Sequence, residues 1–486
     1  MTNDLPLLSL LFLSLPAGAL LSWLLPRESH ARLVALAVAL FDLVVACAAV
    51  ARFDAAQPGF QLVESYAWMP SLGIRYHVGV DGLSVLFLPA AVLLFVGVIA
   101  ASWNSVRTLP RLYYTLLMLL ETATLGVFCA LDTMLFFLFW EFTLVPLYFL
   151  VSLWGVGAHR RHAATKYTLV MLAGGVSLLF GFLVAAFNSG MSFDLPTLLA
   201  QTLPHEAQLA VFLLLLVGFG VKVPLFPLHT WLPLIAAEGP VGVTALLTGM
   251  KLGAYGLIRF AVPLAPDVAR ELHWLLAGLG TVSMLYGAAA ALAQTDLRRM
   301  LAYASLSHVG LVVLGLASFT LQGVQGATLQ LLNFVFASGG AFLVAGFLQH
   351  RCGTADAAGL GGAARTMPLL AAAFLVLGLA GMGVPGTSGF PAEFLLLLGI
   401  FKAHAGAGLA ALLTMVVGAA YFVGLYRKAF LGPLTRPAVA QAQDLLPREL
   451  AITLVLCVVV LAFGFFPAPL LDLMRASAEA WMARLG

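Results

Sequence analysis

The stretch QLAVFLLLLVGFGVKVPLFPLHTWLP, residues 208–233, decides how the rest of the chain is read. It opens as an unbroken apolar run of the kind that crosses a bilayer core about 30 Å thick in roughly 20 helical residues. Its middle then holds a single lysine, Lys222, followed by Pro224, Pro227 and Pro233. Proline removes a backbone donor and clashes with the preceding turn, so the carbonyls it frees need water or polar neighbours. A charge at the centre of a membrane costs about 2.5–3.5 kcal/mol even on a lenient insertion scale. A spanning helix that is both broken and charged is expected to line a hydrated cavity.

The composition around this stretch agrees. Of 486 residues, 62% are hydrophobic and only 9% charged, with a mean hydropathy of +1.03, far from the roughly 25% charged residues of a soluble domain. The net charge is +3, and basic residues stand singly or in small groups between apolar runs, so there is no basic face for nucleic acid. Cys47, Cys129, Cys352 and Cys457 show no C-x-x-C spacing and are expected to be small core residues, neither cluster ligands nor disulfides. The first apolar stretch, Leu7 to Leu25, follows Asp4 without a positive leader and is expected to be a retained first helix.

Apolar runs of spanning length begin near Leu7, Arg32, Gly79, Arg111, Thr133, Lys166, Gln208, Val241, Glu271, Met300, Gly326, Thr366, Lys402 and Leu450. The sequence therefore predicts an all-α polytopic membrane protein of about fourteen transmembrane helices. Its longest connections are Arg52 to Val78, Asn188 to Ala207 and Leu431 to Pro447. Fifteen lysines and arginines, among them Arg160, Arg161, Arg298, Arg299, Arg427 and Lys428, follow odd-numbered runs. Six lie on the other side: Arg52, Arg75, Arg270, Lys402, Arg475 and Arg484. The positive-inside rule then puts both termini on the non-cytoplasmic face.

A second interruption, GMGVPGTSGFPAEF at 381–394, falls in the twelfth run. The seventh and twelfth runs lie five helices apart, an odd offset, so equivalent helices would cross in opposite senses as inverted repeats do. The expected organisation is helices 1–3 over residues 1–110 and a first five-helix repeat over 111–265. A second repeat covers 266–430, and a loop with helix 14 covers 431–486.

Five ionisable residues sit inside apolar runs, one from each of five helices: Glu141 in FFLFWEFTLVPLYF, Lys222, Lys251 in LLTGMKLGAYG, His308 in YASLSHVGLVV and Glu393 in GFPAEFLLLL. The bland alternative for Glu141 and Lys222 is a buried ion pair that merely joins two helices, although such a pair seldom stabilises relative to an apolar replacement. For Lys251 it is snorkelling, against which the flanks Leu246 to Leu257 suggest a mid-helix position. His308 reads equally as a core histidine satisfied by Ser305 or a carbonyl, or as a proton relay. His229, Trp231 and Glu238 suit loop or interface roles, and Lys166, Arg160 and Arg161 suit interface anchors. Asp81 reads as a helix-entry cap, and Asp296 with Arg298 and Arg299 as a charged helix start at the cytoplasmic face. Asp42, Glu121 and Asp132 have no evident partner.

Burial favours the neutral amine of a lysine, and a nearby carboxylate favours its ammonium. At an effective dielectric near 20, a pair about 5 Å apart is worth roughly 3 kcal/mol. Driving one charge across 100 mV takes about 2.3 kcal/mol, so a carboxylate moving against a lysine is a switch of the right size for a pump. Phosphate loops, dinucleotide fingerprints and H-E-x-x-H are all missing, so energy must arrive from outside the chain.

LDTMLFFLFWEFTLVPLYFL, GFGVKVPLFPLHTWLP, GMKLGAYGLIRF, DLRRMLAYASLSHVG and GTSGFPAEFLLLLG together resemble the proton-translocating, antiporter-like subunits of respiratory complex I, in order and over nearly the whole chain. The resemblance implies that Glu141 and Lys222 form the charge pair of a pump, that Lys251 and His308 continue a hydrated axis, and that Glu393 ends it, where sister chains carry a lysine. It implies a bacterial inner-membrane location beside antiporter-like chains L and N. FMN, iron-sulfur clusters and quinone would be held by partner subunits and no cofactor by this chain. The lack of a long C-terminal lateral helix sets it apart from chain L. Two features depart from the family pattern. LQLLNFVFASGGAF places Phe334, with Asn333 beside it, where a histidine is often found, and LIAAEGP replaces a loop that often holds an acidic residue and a histidine. The competing readings are a subunit of a cation/proton antiporter, which neighbouring genes would distinguish, and a structural scaffold indifferent to Lys222→Ala.

Overall fold

With so few polar side chains, the backbone satisfies its own donors and acceptors most completely as helix, and the chain is helical almost throughout. The computed structural model describes residues 5–434 and 436–485; Asp4 lies outside them. In chain order the principal helices are α1 Leu7–Leu24, α2 His30–Arg52, α3 Phe87–Ala101, α4 Pro110–Cys129, α5 Thr133–Trp154, α6 Arg160–Phe187, α7 His205–Lys222, α8 Leu232–Glu238 and α9 Val241–Ala261. They continue as α10 His273–Leu292, α11 Leu297–Leu316, α12 Leu321–Cys352, α13 Pro368–Gly381, α14 Gly389–Ala403, α15 Ala405–Leu431, α16 Pro447–Phe465 and α17 Ala468–Ala483. Among the described residues, 12 helices are long and apolar enough to cross a membrane, and α3 and α13 are shorter apolar helices.

The centre of the bundle is α12, 32 residues long and therefore about 48 Å from end to end at 1.5 Å per residue. It packs against α9, α11, α13 and α14. Small residues set these contacts: a Cβ on Gly326 would meet the backbone of Leu396 and Ala392 in α14, and one on Gly310 of α11 would meet Met284 and Gly280 in α10. In lipid, where burial of apolar surface no longer separates helix from solvent, such close backbone approach is what holds helices together. Leu209, Leu213 and Val217 of α7 and Leu454, Val458 and Leu461 of α16 point outward, as a lipid-facing surface requires.

Three expectations are corrected. The chain is not purely α-helical: the connection read as a loop from Arg52 to Val78 contains an antiparallel hairpin, β1 Gln61–Met69 and β2 Ile74–Val80. Its strands are rich in β-branched and aromatic residues, and its turn uses Gly73 at φ 70, a conformation glycine adopts without penalty. Glu64 of β1 accepts from the backbone N–H of Leu8 at 2.9 Å and Ser9 at 3.1 Å, satisfying the first turn of α1. The region after residue 431 ends in a further helix, α17, that lies back on the bundle. Trp481 donates to the Ile258 carbonyl at 2.8 Å, and Ser477 Oγ accepts from Gly82 N at 2.9 Å. Finally, a third helix is interrupted: Lys251 stands buried midway along α9 as expected, but α9 is regular only to Gly249, is broken at Met250 and Lys251, and resumes at Leu252.

Two pairs of connections meet through short backbone bridges, Asp132 with Asp194 and Asp296 with Asp356. Asp132 caps α5 by accepting from Met134 and Leu135 N–H, and Asp296 caps α11 by accepting from Arg299 N–H.

Candidate functional site

At the first break, the donors and acceptors released by Pro224 and Pro227 are answered locally. The Trp231 indole donates to the Val221 carbonyl at 2.9 Å, Leu225 N–H to the Gly220 carbonyl at 2.8 Å, and Phe226 N–H to Ser283 Oγ at 2.9 Å. The break therefore holds its shape and leaves Lys222, last residue of α7, directed at α5. The ammonium donates to Thr143 Oγ1 at 2.9 Å, reaches the Trp140 carbonyl at 3.5 Å, and lies 4.0 Å from the centroid of the Trp140 ring. Thr143 in turn donates to the Trp140 carbonyl at 2.7 Å.

Glu141 sits between these two partners in sequence, yet no ion pair with Lys222 falls within 4.0 Å among the described residues. Its carboxylate turns toward α6, where Gly175 leaves the space: a Cβ there would collide with Glu141 Oε1. That oxygen is buried without a hydrogen-bond partner. The pair expected from the sequence is thus not in contact: Lys222 bonds to Thr143, while the Glu141 carboxylate lies against Gly175 of α6.

Lys251 lies at the interruption of α9 between Gly249 and Gly253. Gly253 allows α9 to approach the backbone of Val223 and Phe219 so closely that a Cβ would meet both, and this brings Lys251 alongside the first break. Its ammonium donates to Ser305 Oγ at 2.5 Å and stands 5.5 Å from the Phe334 ring centroid. Ser305 therefore serves Lys251, not His308. One turn further along α11, His308 Nδ1 is 3.3 Å from Glu393 Oε1 and Nε2 is 3.4 Å from the Tyr421 hydroxyl.

Glu393, only 1% exposed, is in the first turns of α14, just past the second break. Gln330 of α12 donates to its Oε1 at 3.4 Å, and Asn333 donates to Gln330 Oε1 and to the Ala380 carbonyl, both at 3.4 Å. Ser388 donates to Asn333 Oδ1 at 2.6 Å, and its N–H donates to the Val460 carbonyl at 2.9 Å. A row of polar side chains thus passes from Lys251 to Ser305 and, one helical turn on with no hydrogen bond across the step among the described residues, from His308 through Glu393, Gln330 and Asn333 to Ser388. Two small cavities flank it. One of ≈ 30 Å³ is lined by Lys222, Thr143, Thr124, Met250 and Leu252, and one of ≈ 50 Å³ by Ser305, His308, Asn333, Phe334 and Tyr421. Both are lined mainly by apolar side chains, with Lys222 and Thr143 in one and Ser305, His308 and Asn333 in the other as the groups able to hold a water. Phe334 walls the second cavity, its ring centroid 5.5 Å from the Lys251 ammonium and 6.4 Å from the His308 ring.

Sequence reasoning missed a second centre. Asp81 does cap, accepting from Leu83 N–H at 3.0 Å, but its carboxylate also grips Arg259 of α9 in a bidentate pair at 2.5 and 2.6 Å, with Arg259 Nε on the Tyr255 hydroxyl at 3.1 Å. The signal available was an arginine inside GLIRFAVPL. Arg298 is likewise no surface charge: it is buried, donating to the Gly239 carbonyl at 2.6 Å and Gln349 Oε1 at 2.8 Å. Lys166 donates to the Thr230 carbonyl at 3.4 Å, and Glu238 accepts from His159 N–H at 2.8 Å. Among the described residues no three His, Cys, Asp or Glu side chains are grouped to hold a metal, and the four cysteines are free.

A multi-pass helical bundle whose interrupted helices meet around buried lysines and carboxylates is an antiporter-like membrane subunit. Residues 130–418 match the family described as NADH:quinone oxidoreductase/Mrp antiporter, TM. The chain is 37% identical to NADH-quinone oxidoreductase subunit M of Rickettsia conorii, over 88% of this chain and 87% of that one. Its structure superposes on a chain of respiratory complex I from Thermus thermophilus, solved with bound NADH, with a TM-score of 0.91 and 34% identity, covering 99% and 100% of the two chains. The chain belongs to the family of subunit M of NADH-quinone oxidoreductase. The fold alone is shared with a chain of the Mrp complex from Dietzia sp. DQ12-45-1b, at a TM-score of 0.84 and 24% identity over 98% of this chain and 52% of that one.

Proposed function

We propose that this chain carries protons across the membrane as an antiporter-like subunit of complex I, along a row formed by Glu141, Lys222, Lys251, His308 and Glu393. The observation that carries the reading is the row from Lys251 to Glu393, whose Lys251–Ser305 and His308–Glu393 contacts are joined by the cavity that Ser305 and His308 both line. Movement of Glu141 toward Lys222 would draw the ammonium away from Thr143 and alter the load passed to Lys251. A change of about 3 kcal/mol from such a step matches the work of moving one charge against 100 mV, about 2.3 kcal/mol. Redox chemistry takes place elsewhere: quinone reduction in partner subunits, holding FMN and iron-sulfur clusters, supplies the energy, and chains L and N are the expected neighbours.

The same reading gives the chain fourteen crossings, α13 with α14 and α7 with α8 each counting as one broken crossing, and both termini on the non-cytoplasmic side. Inverted repeats at 111–265 and 266–430, flanked by 1–110 and 431–486, are supported by the five-crossing offset between the breaks. They are supported again by the matched bridges Asp132 with Asp194 and Asp296 with Asp356, each at the start of a corresponding helix, α5 and α11.

The test is proton pumping in vesicles carrying the assembled complex with Glu141→Gln or Lys222→Ala. Both variants should lower pumping and slow the coupled oxidation, and unchanged stoichiometry in both overturns the reading. The shared fold with an Mrp chain favours a second reading, cation/proton exchange, which predicts that an imposed sodium gradient alone drives proton movement through the isolated chain.

A further inference from the structure

Three polar side chains outside the row meet among the N-terminal helices. Gly18 of α1 lies against Val38 of α2 and Met118 of α4, which fixes the register of all three. One helical turn along, a spacing of three to four residues, Ser14, Asp42 and Glu121 come to one level. Each is near the middle of its helix, and so near the middle of the bilayer. The Ser14 hydroxyl donates to Asp42 Oδ1 at 2.6 Å, and Glu121 shares this level through the contact of Gly18 with Met118. Both carboxyls are 0% exposed. Neither oxygen of Glu121 has a hydrogen-bond partner, and Asp42 Oδ2 has none either.

Among the described residues no cation answers them. Helices α1 and α3 contain no charged residue, α2 has His30, Arg32 and Arg52 only at its ends, and α4 has Arg111 in its first turn with Tyr113 and Tyr114 after it. The hairpin contributes Glu64 and Tyr76 at the far end of α1, and Glu141 of α5 faces α6. Two carboxylates sharing a low-dielectric site cannot both stay ionised without a positive ligand. The smallest such ligand is a proton, which neutralises one carboxyl and removes the like charge beside the other.

We propose that Asp42 and Glu121, steadied by Ser14, form a proton-binding site among α1, α2 and α4, separate from the Glu141–Glu393 row. The site holds one exchangeable proton on its pair of buried carboxyl groups, and it shares no residue with the row, so either can fail alone.

The experiment is infrared difference spectroscopy of the assembled complex, unmutated against Glu121→Gln, at neutral pH in H2O and D2O. The expected loss is the carbonyl stretch of a protonated carboxyl that moves to lower frequency in D2O. Loss confined to carboxylate stretches overturns the proposal, and so does a carboxyl band that D2O leaves in place, which marks a sealed structural contact. Should Glu121→Gln not assemble, the unmutated complex is treated with N,N′-dicyclohexylcarbodiimide, which reacts with protonated carboxyls in apolar surroundings, and the adduct is mapped by mass spectrometry. Modification at Asp42 or Glu121 is expected and its absence from both overturns the proposal. Suppression of the adduct by sodium chloride at fixed pH assigns the site to sodium and overturns it too.

Discussion

Thr143→Val isolates the group that holds Lys222. Valine keeps the branch and volume of threonine and removes one hydroxyl, the closest acceptor of the Lys222 ammonium at 2.9 Å. The Trp140 carbonyl at 3.5 Å and the ring at 4.0 Å remain, so the side chain keeps its position through the cation–π contact. A hydrogen bond to a charged group contributes about 1.5–3 kcal/mol, and at about 1.4 kcal/mol per tenfold this is roughly a 10- to 150-fold loss in the population held ready at Thr143. The assay is the initial rate of NADH-driven proton uptake in inverted vesicles, normalised to assembled complex, with Thr143→Ser as the control that restores the hydroxyl. Pumping should fall about tenfold or more in the valine variant and recover in serine. Wild-type pumping by Thr143→Val would refute the claim that this lysine works from the position seen here.

Replacing Gly175 by alanine forces a Cβ into the space of the Glu141 carboxylate; assembly should persist while pumping falls to the level of Glu141→Gln, as vesicle assays would show. Arg259→Met strands the buried Asp81 carboxylate, a change that costs about 3–5 kcal/mol. The subunit should be depleted from the complex on native gels and partly recovered in the double variant with Asp81→Asn. Outside the membrane, burial pushes the Asp194 carboxyl up, but bonds from His77 and Thr197 outweigh it and leave it below its ordinary value. The tie it makes between hairpin and loop is fully present above the unfolded carboxylate value, about 3.9, and is lost as pH falls through the lower folded value. Proteolysis of the loop around Ser192 should therefore rise only in strong acid, and already at neutral pH in His77→Phe.

Charges were legible in the sequence because an apolar run makes each one expensive. Glu141, Lys222, Lys251 and Glu393 stood out for that reason, and so did both proline breaks. Hydroxyl and amide partners were not legible. Thr143, Ser305, Ser388 and Gln330 belong to residue types that bond their own helix backbone as readily as a neighbour, and only the packing of α5, α11, α12 and α14 selects the ones that matter. The interruption at Lys251 had a signal in Gly249 and Gly253 on either side, but glycine in a membrane helix more often marks close packing. The hairpin also had one, the alternation in IRYHVGV and the aromatic and β-branched residues of QLVESYAWM, hidden by reading every connection as a loop. The orientation of the Glu141 carboxylate depends on the void at Gly175, a relation between helices that periodicity does not encode.

The most direct test is a density map of the assembled complex fine enough to place ordered waters between Lys222 and Glu393. A continuous file of waters through the cavities beside Lys222 and His308, joined across Lys251 and Ser305 and passing Phe334, is the predicted result. Dry side-chain packing between the two lysines would contradict proton transfer along this row.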